Sequence, residues 1–352
     1  MHVTRIRAAD FRNLTFADVE FDAKRVFLLG DNGQGKTNLL EAAGLLSTFR
    51  SFRTNEITPL IREGCTEARV RIDTENAGEN FAVEIRLAKG SRKGHVNQTA
   101  VTSVAEHLGK FPTIVFCSDD LRLIRGSPSN RRRWIDATIG STDANYLSAV
   151  RDYQRALEGR NALLKIEQPQ EDSIRAFEKA MLPAAILITQ LRAKALPEIA
   201  LTLRETCDKA GFPNKAAEIL YKPDTSTESL ADTWQKNRGL DIASGTTQRG
   251  PHKDDFEILF GGQNAADYAS EGQQRLLALA LSLGRLKRDA RRSSTPPIIL
   301  ADDVLGELDE TRQKVFWQEV GDSYQVIATG TTPPPSGSWL TYRVSAGSYH
   351  RQ

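Results

Sequence analysis

Eight residues near the N-terminus, "GDNGQGKT" (Gly30–Thr37), fit the pattern GxxxxGK[ST]. They lie between an apolar run, Val26–Leu29, and a segment in which Leu39, Leu40, Ala42, Ala43, Leu45 and Leu46 recur at helical spacing. The whole loop, Gly30, Asp31, Asn32, Gly33, Gln34, Gly35, Lys36 and Thr37, is a candidate triphosphate-binding segment. Its glycines let main-chain N–H groups face phosphate oxygens, Lys36 reaches the β- and γ-phosphates, and the Thr37 hydroxyl ligates Mg²⁺. The helix that follows adds its positive end. Such a loop requires a second carboxylate, on a neighbouring strand, to complete the magnesium shell. The stretch "PPIILADDVLGELDE" (296–310) runs an apolar strand straight into Asp302 and Asp303. Buried acids there are costly unless a metal or a hydrogen-bond partner compensates, which marks Asp302 as the second ligand.

These residues need elements to hold them. The segments "ARVRID" and "FAVEIRLA" alternate with period two and precede a basic turn, "KGSRKGH", as an antiparallel sheet ending in an exposed hairpin. From about residue 134 the pattern becomes helical. Two long apolar-striped stretches, broken at "KIEQPQEDS", predict a paired helical arm, each helix about 30–50 Å long. Strands return after Gly245, with "FEILF", "PIILADD" and "YQVIAT", then the proline-rich "TTPPPSGSW" and a short terminal strand. The fold class is therefore α/β with a helical middle. Net charge is only +2 over 352 residues, so binding to a polyanion would depend on local patches. Cys65, Cys117 and Cys207 have no metal-like spacing and read as reduced thiols. The charged N-terminus and the lack of any long apolar stretch predict a cytoplasmic protein.

A third motif, "ASEGQQRLLALALSLG", lies about thirty residues before Asp302. There Ser270 and Gly272 can offer a hydroxyl and N–H groups at a helix start, beside Gln273. Ordered between the phosphate loop and Asp302, and followed by "GELDE", it resembles the signature motif of ABC-type ATPases. That resemblance implies that ATP sits between two subunits and drives dimerisation. Within that class the chain resembles the RecF family over nearly its full length. The landmarks, in that family's order, are "ADFRNL", "GDNGQGKTNLLEA", "SPSNRRRWID", "GPHKDD", "SEGQQRLLALAL" and "ADDVLGELDETR".

The resemblance implies an ABC-type head with a helical second lobe inserted between the phosphate loop and the signature. Expected divisions are residues 1–120 (ATPase lobe), 121–240 (helical lobe) and 241–352 (ATPase part with signature and Asp302). It also implies ATP and Mg²⁺ as cofactors and an ATP-dependent homodimer. The partners it implies are DNA (single-stranded, duplex or their junction), RecO and RecR, with a role in recombinational repair. Carried over by residue, Asp303 stands where most ABC ATPases have the glutamate that polarises the attacking water. Aspartate sets the carboxylate back by roughly 1 Å, a misplacement that can cost about 10²-fold in rate, which implies slow turnover. Glu307, Leu308 and Asp309 match the D-loop, and Arg12 and Asn13 match positions near nucleotide. Two features depart from the class: "CSDDLRL" occupies the region of the Q-loop, and Gly330 stands at the switch histidine.

Candidate DNA contacts are Lys89, Arg92 and Lys93; Arg131, Arg132 and Arg133; and Lys287, Arg288, Arg291 and Arg292. The run at 131–133 has structure or the nucleotide interface as its alternative role. His252 reads as a hydrogen-bonded core residue, with a switch as its alternative. A competing function is the motor subunit of a membrane transporter, and the helical lobe and absent switch histidine argue against it. An SMC- or Rad50-like head would need a far longer coiled coil.

Overall fold

The computed structural model describes residues 1–213, 216–333 and 337–352, with all their side chains except those at 104, 105 and 307. Part of the proline-rich loop and the Glu307 side chain of the expected D-loop thus lie outside the described residues. The chain divides into two units, Met1–Asp120 with Arg285–Gln352, and Leu121–Gly284.

The first unit begins β1 (His2–Phe11), β2 (Leu14–Glu20), β3 (Arg25–Leu29), α1 (Lys36–Thr48), β4 (Glu67–Asn76), β5 (Glu79–Ala88), β6 (Ser91–Val96), β7 (Thr99–Ala100), α2 (Val104–His107) and β8 (Thr113–Cys117). The second holds α3 (Arg122–Arg125), α4 (Pro128–Gly140), α5 (Ala144–Leu163), α6 (Glu171–Lys209), β9 (Ala217–Lys222), α7 (Leu230–Ser244), β10 (Asp255–Phe260), β11 (Gln263–Asn264) and α8 (Ala265–Tyr268). Helix α9 (Glu271–Arg292) carries the chain back, and β12 (Ile298–Asp302), α10 (Glu310–Val320), β13 (Val326–Gly330), β14 (Leu340–Ser345) and β15 (Ser348–Arg351) complete the first unit.

Two six-stranded sheets build that unit. One is antiparallel, ordered β2-β1-β4-β5-β6-β7. The alternation read from "ARVRID" and "FAVEIRLA" buries Ala68, Val70, Ile72, Val83, Ile85 and Leu87 in a core shared with α1. The other sheet is ordered β15-β14-β3-β13-β12-β8, parallel except for β15. Strand β13 therefore lies between β3 and the Asp302 strand β12, which are not immediate neighbours as expected. The chain also ends its sheet with two strands, β14 and β15, where one was expected.

In the second unit α5 and α6 pack together, the polar connection 164–170 turning α6 back along α5. Helix α6 has 39 residues, about 58 Å at 1.5 Å per residue, longer than the sequence suggested, and it continues through Pro183 and Pro197. The second compact unit runs on to Gly284, past the division expected at 240. Strand β10 pairs with β9, and Phe256, Ile258 and Phe260 join a core with Tyr146, Tyr153 and Met181. Among the described residues no helix is long and apolar enough to cross a membrane.

Candidate functional site

The phosphate loop sits at the carboxyl ends of parallel strands, the usual ligand edge of such a sheet. Gly30 is forced: a Cβ there would lie 2.4 Å from the Val344 carbonyl oxygen of β14. Gly33 and Gly35 have φ of 80° and 108°, conformations that side-chain-bearing residues resist. Gly35 caps α1 without a side-chain hydrogen bond, and no acid occupies the first turn. The first N–H groups of that helix are left for an anion. Lys36 is only 5% exposed, yet its Nζ meets no carboxylate among the described residues: it donates to the carbonyls of Gly30 (2.7 Å) and Asp31 (2.9 Å).

Opposite the loop, Thr37 Oγ1 donates to Asp302 Oδ1 at 2.8 Å, and Thr329 Oγ1 donates to the same oxygen at 3.0 Å. Burial raises the Asp302 pKa above the usual carboxylate value, against the two hydroxyl bonds and the nearby Arg53 charge. Asp303 takes φ 58°, and its N–H donates to Thr329 Oγ1 at 2.9 Å. Its carboxylate has no hydrogen-bond or ion-pair partner among the described residues. Aspartate tolerates this left-handed backbone better than most residues, which gives a local reason for the shorter acid. Thr329, on the intervening strand, thus bridges both aspartates, although in the sequence it stands out only as a neighbour of the missing switch histidine. Gly330 has no room for a larger side chain: a Cβ would lie 2.7 Å from the Phe27 ring.

Asn13 lies against the loop, donating to the Gly33 carbonyl at 3.2 Å and accepting from Asn38 at 2.6 Å. Arg12 is committed elsewhere. It makes a two-pronged pair with Glu41 of α1 (2.9 and 2.7 Å), a fully buried acid that also accepts from Arg53 and Ser51. The loop also has a back wall that its sequence does not announce. Ala346 N donates to Gln34 Oε1 (2.7 Å), Gly347 N to Gln34 O (2.9 Å), and Tyr349 OH to Gly35 O (3.0 Å). No local pattern marks these residues, which come from a distant hairpin. At the Q-loop position, Cys117 is the register partner of Asp302, and its N–H faces Asp120 Oδ2 at 3.4 Å.

In the second unit, Ser270 and Gln273 cap α9 reciprocally. Ser270 N donates to Gln273 Oε1 at 2.9 Å, and Gln273 N to Ser270 Oγ at 3.3 Å, a capping box. Gly272 lies in the first turn. The landmarks around it are bound to one another: Arg131 grips Asp255 with two bonds (2.7 and 2.8 Å) and the Gly126 carbonyl with a third (2.7 Å). Arg132 donates to the Asp254 carbonyl at 2.8 Å. Of that run only Arg133 is exposed, and Arg131 and Arg132 are taken up by these carboxylate and carbonyl bonds. Deeper, Arg192 holds Asp136 (2.8 Å), Asp254 (3.0 Å) and the Pro251 carbonyl (2.7 Å). Fully buried Arg160 binds Asp241 (2.8 Å) and Glu178 (2.7 Å). His252 is a bonded structural residue, contacting Tyr153 OH (2.7 Å) and the Thr247 carbonyl (3.0 Å).

The remaining basic candidates separate by strand alternation. Lys93 is exposed and stands in register with Arg86, which pairs in turn with Arg69. The three form a row across β4, β5 and β6, and Lys89 is exposed at the adjoining turn. Arg92, one residue from Lys93, points to the opposite face opposite Leu87, and burial lowers its pKa. Arg288 is buried and Lys287 pairs with Glu319 at 2.7 Å, so these two lie outside any open basic face; Arg291 and Arg292 are exposed.

The sequence profile described as RecF/RecN/SMC N terminal domain matches residues 2–333. The chain is 32% identical over 335 residues to the DNA replication and repair protein RecF of Leptospira interrogans (serovar Lai), covering 94% of this chain and 92% of that one. It is 32% identical over 360 residues to that of Thermoanaerobacter sp. (strain X514), covering 99% of both. Among solved structures, the recombination mediator protein RecF with ATP matches 100% of this chain and 97% of its own, with TM-score 0.92 at 29% identity. An SMC head bound to the C-winged helix domain of ScpA matches at TM-score 0.57 and 15% identity, a likeness of fold alone. With its mixed α/β head, inserted helical segment and ordered motifs, the chain belongs to the RecF family of DNA replication and repair proteins.

Proposed function

We propose that the chain is an ATP-controlled, DNA-binding mediator of recombinational repair: ATP joins two copies on DNA, and slow hydrolysis releases them. The observation that carries this reading is the Thr37–Asp302 pair, 2.8 Å apart beneath an uncapped helix start. Two oxygens on one edge of an octahedral magnesium shell lie roughly 3 Å apart, given ligand distances of about 2.0–2.1 Å. The pair fits that edge, and Asp302, half-buried and bonded by two hydroxyls, suits a cation ligand. Thr37 and Asp302 would hold the Mg²⁺, with phosphate and water supplying the rest. Bound there, the ion would neutralise charge on the transferred phosphate.

Around it, main-chain N–H groups of Gly30–Thr37 and Lys36 bind the phosphates, Asn13 braces the loop, and Asp303 orients the attacking water. Ser270, Gly272 and Gln273 meet the nucleotide of the second copy, with Leu308 and Asp309 at that same interface. The exposed row Arg69, Arg86 and Lys93, with Lys89, takes the DNA backbone. The likeness to RecF solved with ATP supports the nucleotide, and that structure's assignment to the RecFOR pathway supports RecO and RecR as partners. Light scattering tests the reading: ATP, or an analogue that resists hydrolysis, should convert monomer to dimer and tighten DNA binding in a salt-dependent way. A monomer at saturating ATP overturns it.

A further inference from the structure

Gln274 is only 4% exposed, although it follows directly on the capping residue Gln273 at the open end of α9. Its side-chain Nε2 donates to three main-chain carbonyls, Ala265 (3.0 Å), Ala266 (3.1 Å) and Ala269 (2.9 Å). Its Oε1 accepts from Arg125 Nε. The orientation is fixed by chemistry, since the reversed amide would face its oxygen at three others and its NH₂ at a guanidinium. Those carbonyls belong to α8 and to the residue immediately before Ser270. Ser270 O in turn accepts from Gln274 N at 2.9 Å. Residues 265–270 are thereby gripped from one buried point, and Tyr268 stays 69% exposed on a segment that cannot drift.

The other end of the grip is also fixed. Arg125 ends α3, and a Cβ on Gly126 would lie 2.3 Å from the Arg122 carbonyl oxygen, so only glycine turns the chain there. The Gly126 carbonyl is held by Arg131, itself clamped to Asp255. Three landmark segments thus converge on the signature turn through Arg125 and Gln274.

We propose that Gln274, clamped by Arg125, is a positioning residue that sets the signature turn in the geometry at which Ser270 meets the nucleotide of a second copy. The inference rests on the dimer reading above. The test compares the full chain with Gln274→Leu, Arg125→Ala and Arg125→Lys. ATP affinity, measured calorimetrically at concentrations where the protein is monomeric, should stay within twofold, because the phosphate loop is untouched. The protein concentration for half-dimerisation in ATP should rise at least tenfold for Gln274→Leu and severalfold for Arg125→Ala, with Arg125→Lys between the latter and the parent. Amide exchange over 265–270 should quicken in the same order without nucleotide. Variants that dimerise like the parent, with unchanged exchange, overturn the inference. Should Gln274→Leu fail to fold, the two variants at exposed Arg125 decide the question on the same measurements. A parent that never dimerises overturns the functional reading and this inference together.

Discussion

The phosphate loop of the first unit and the signature turn of the second are both helix starts built from glycine and hydroxyl residues, but they are held by opposite means. The loop is fixed by main-chain and neutral groups: Lys36 on two carbonyls, Gln34 on the 346–347 turn, Thr329 bridging the aspartates. Its helix end is uncapped, and Asp302 has two hydroxyls and a nearby Arg53 charge but no ion pair among the described residues. The signature turn is capped in advance and tied through Arg125 to the Arg131–Asp255 pair, in a unit that also holds buried guanidinium–carboxylate pairs at Arg192 and Arg160. One site has its electrostatics left open for a charged ligand to complete. The other is satisfied before any ligand arrives, and so is stiff. Acid separates them as well. Burial works against the Glu178 carboxylate, but Arg238 and Arg160 outweigh it and hold its pKa below the usual value, whereas burial raises that of Asp302.

The largest effect should come from breaking a buried pair in the second unit. Arg160→Ala strands Asp241, leaves Glu178 with Arg238 alone, and should cost about 3–5 kcal/mol in urea unfolding. A loss under about 1 kcal/mol would show that the pairs do not carry that stiffness. In the first unit, Lys36→Ala should lower ATP affinity by about 10²-fold, roughly 2.7 kcal/mol. Without nucleotide its unfolding should change by less than about 0.5 kcal/mol, since the ammonium meets only carbonyls. Calorimetry and urea melts check the two halves of that claim.

Asp303→Asn should keep ATP binding, slow hydrolysis by about 10²-fold and prolong the dimer, read by phosphate release and light scattering. Loss of nucleotide binding would instead make Asp303 a magnesium ligand. The smallest effect is one of sign. A raised acid pKa means that Asp302 favours the folded state most when protonated, and this is lost as pH rises through the raised value. Glu178 does the reverse, stabilising above the unfolded pKa and losing its contribution as pH falls through its lowered one. Asp302→Asn should therefore stabilise the nucleotide-free protein by about 1 kcal/mol at pH 7.5. The gain should shrink at pH 4.5, whereas Glu178→Gln should blunt acid unfolding. Thermal melts at the two pH values that show the same slope for both variants would erase the contrast.

What could be read from sequence follows the same division. The phosphate loop was legible because spacing inside one strand–turn–helix encodes its geometry, and Asp302 followed from what such a loop lacks. Thr329, Arg53, Glu41 and the 346–349 wall were not, because they arrive from distant segments whose local patterns are ordinary. In the basic hairpin, alternation alone would have separated Lys93 from Arg92, since adjacent strand residues face opposite ways. A strand pattern at 255–260 shows that a strand exists but not which strand it pairs with. The buried arginines look like solvated charge until their carboxylates, from 18 to 124 residues away, are brought to them.

The wall behind the phosphate loop also has a consequence in time. Gly35 and Tyr349 are 314 residues apart, and at about 5–20 residues per second a ribosome takes roughly 15–60 s to pass from one to the other. For most of that interval the nascent loop lacks the strand that closes against Gly30, and 121–284, with its own core, is made before that strand. The helical unit can therefore finish before the strand that closes against Gly30 is made.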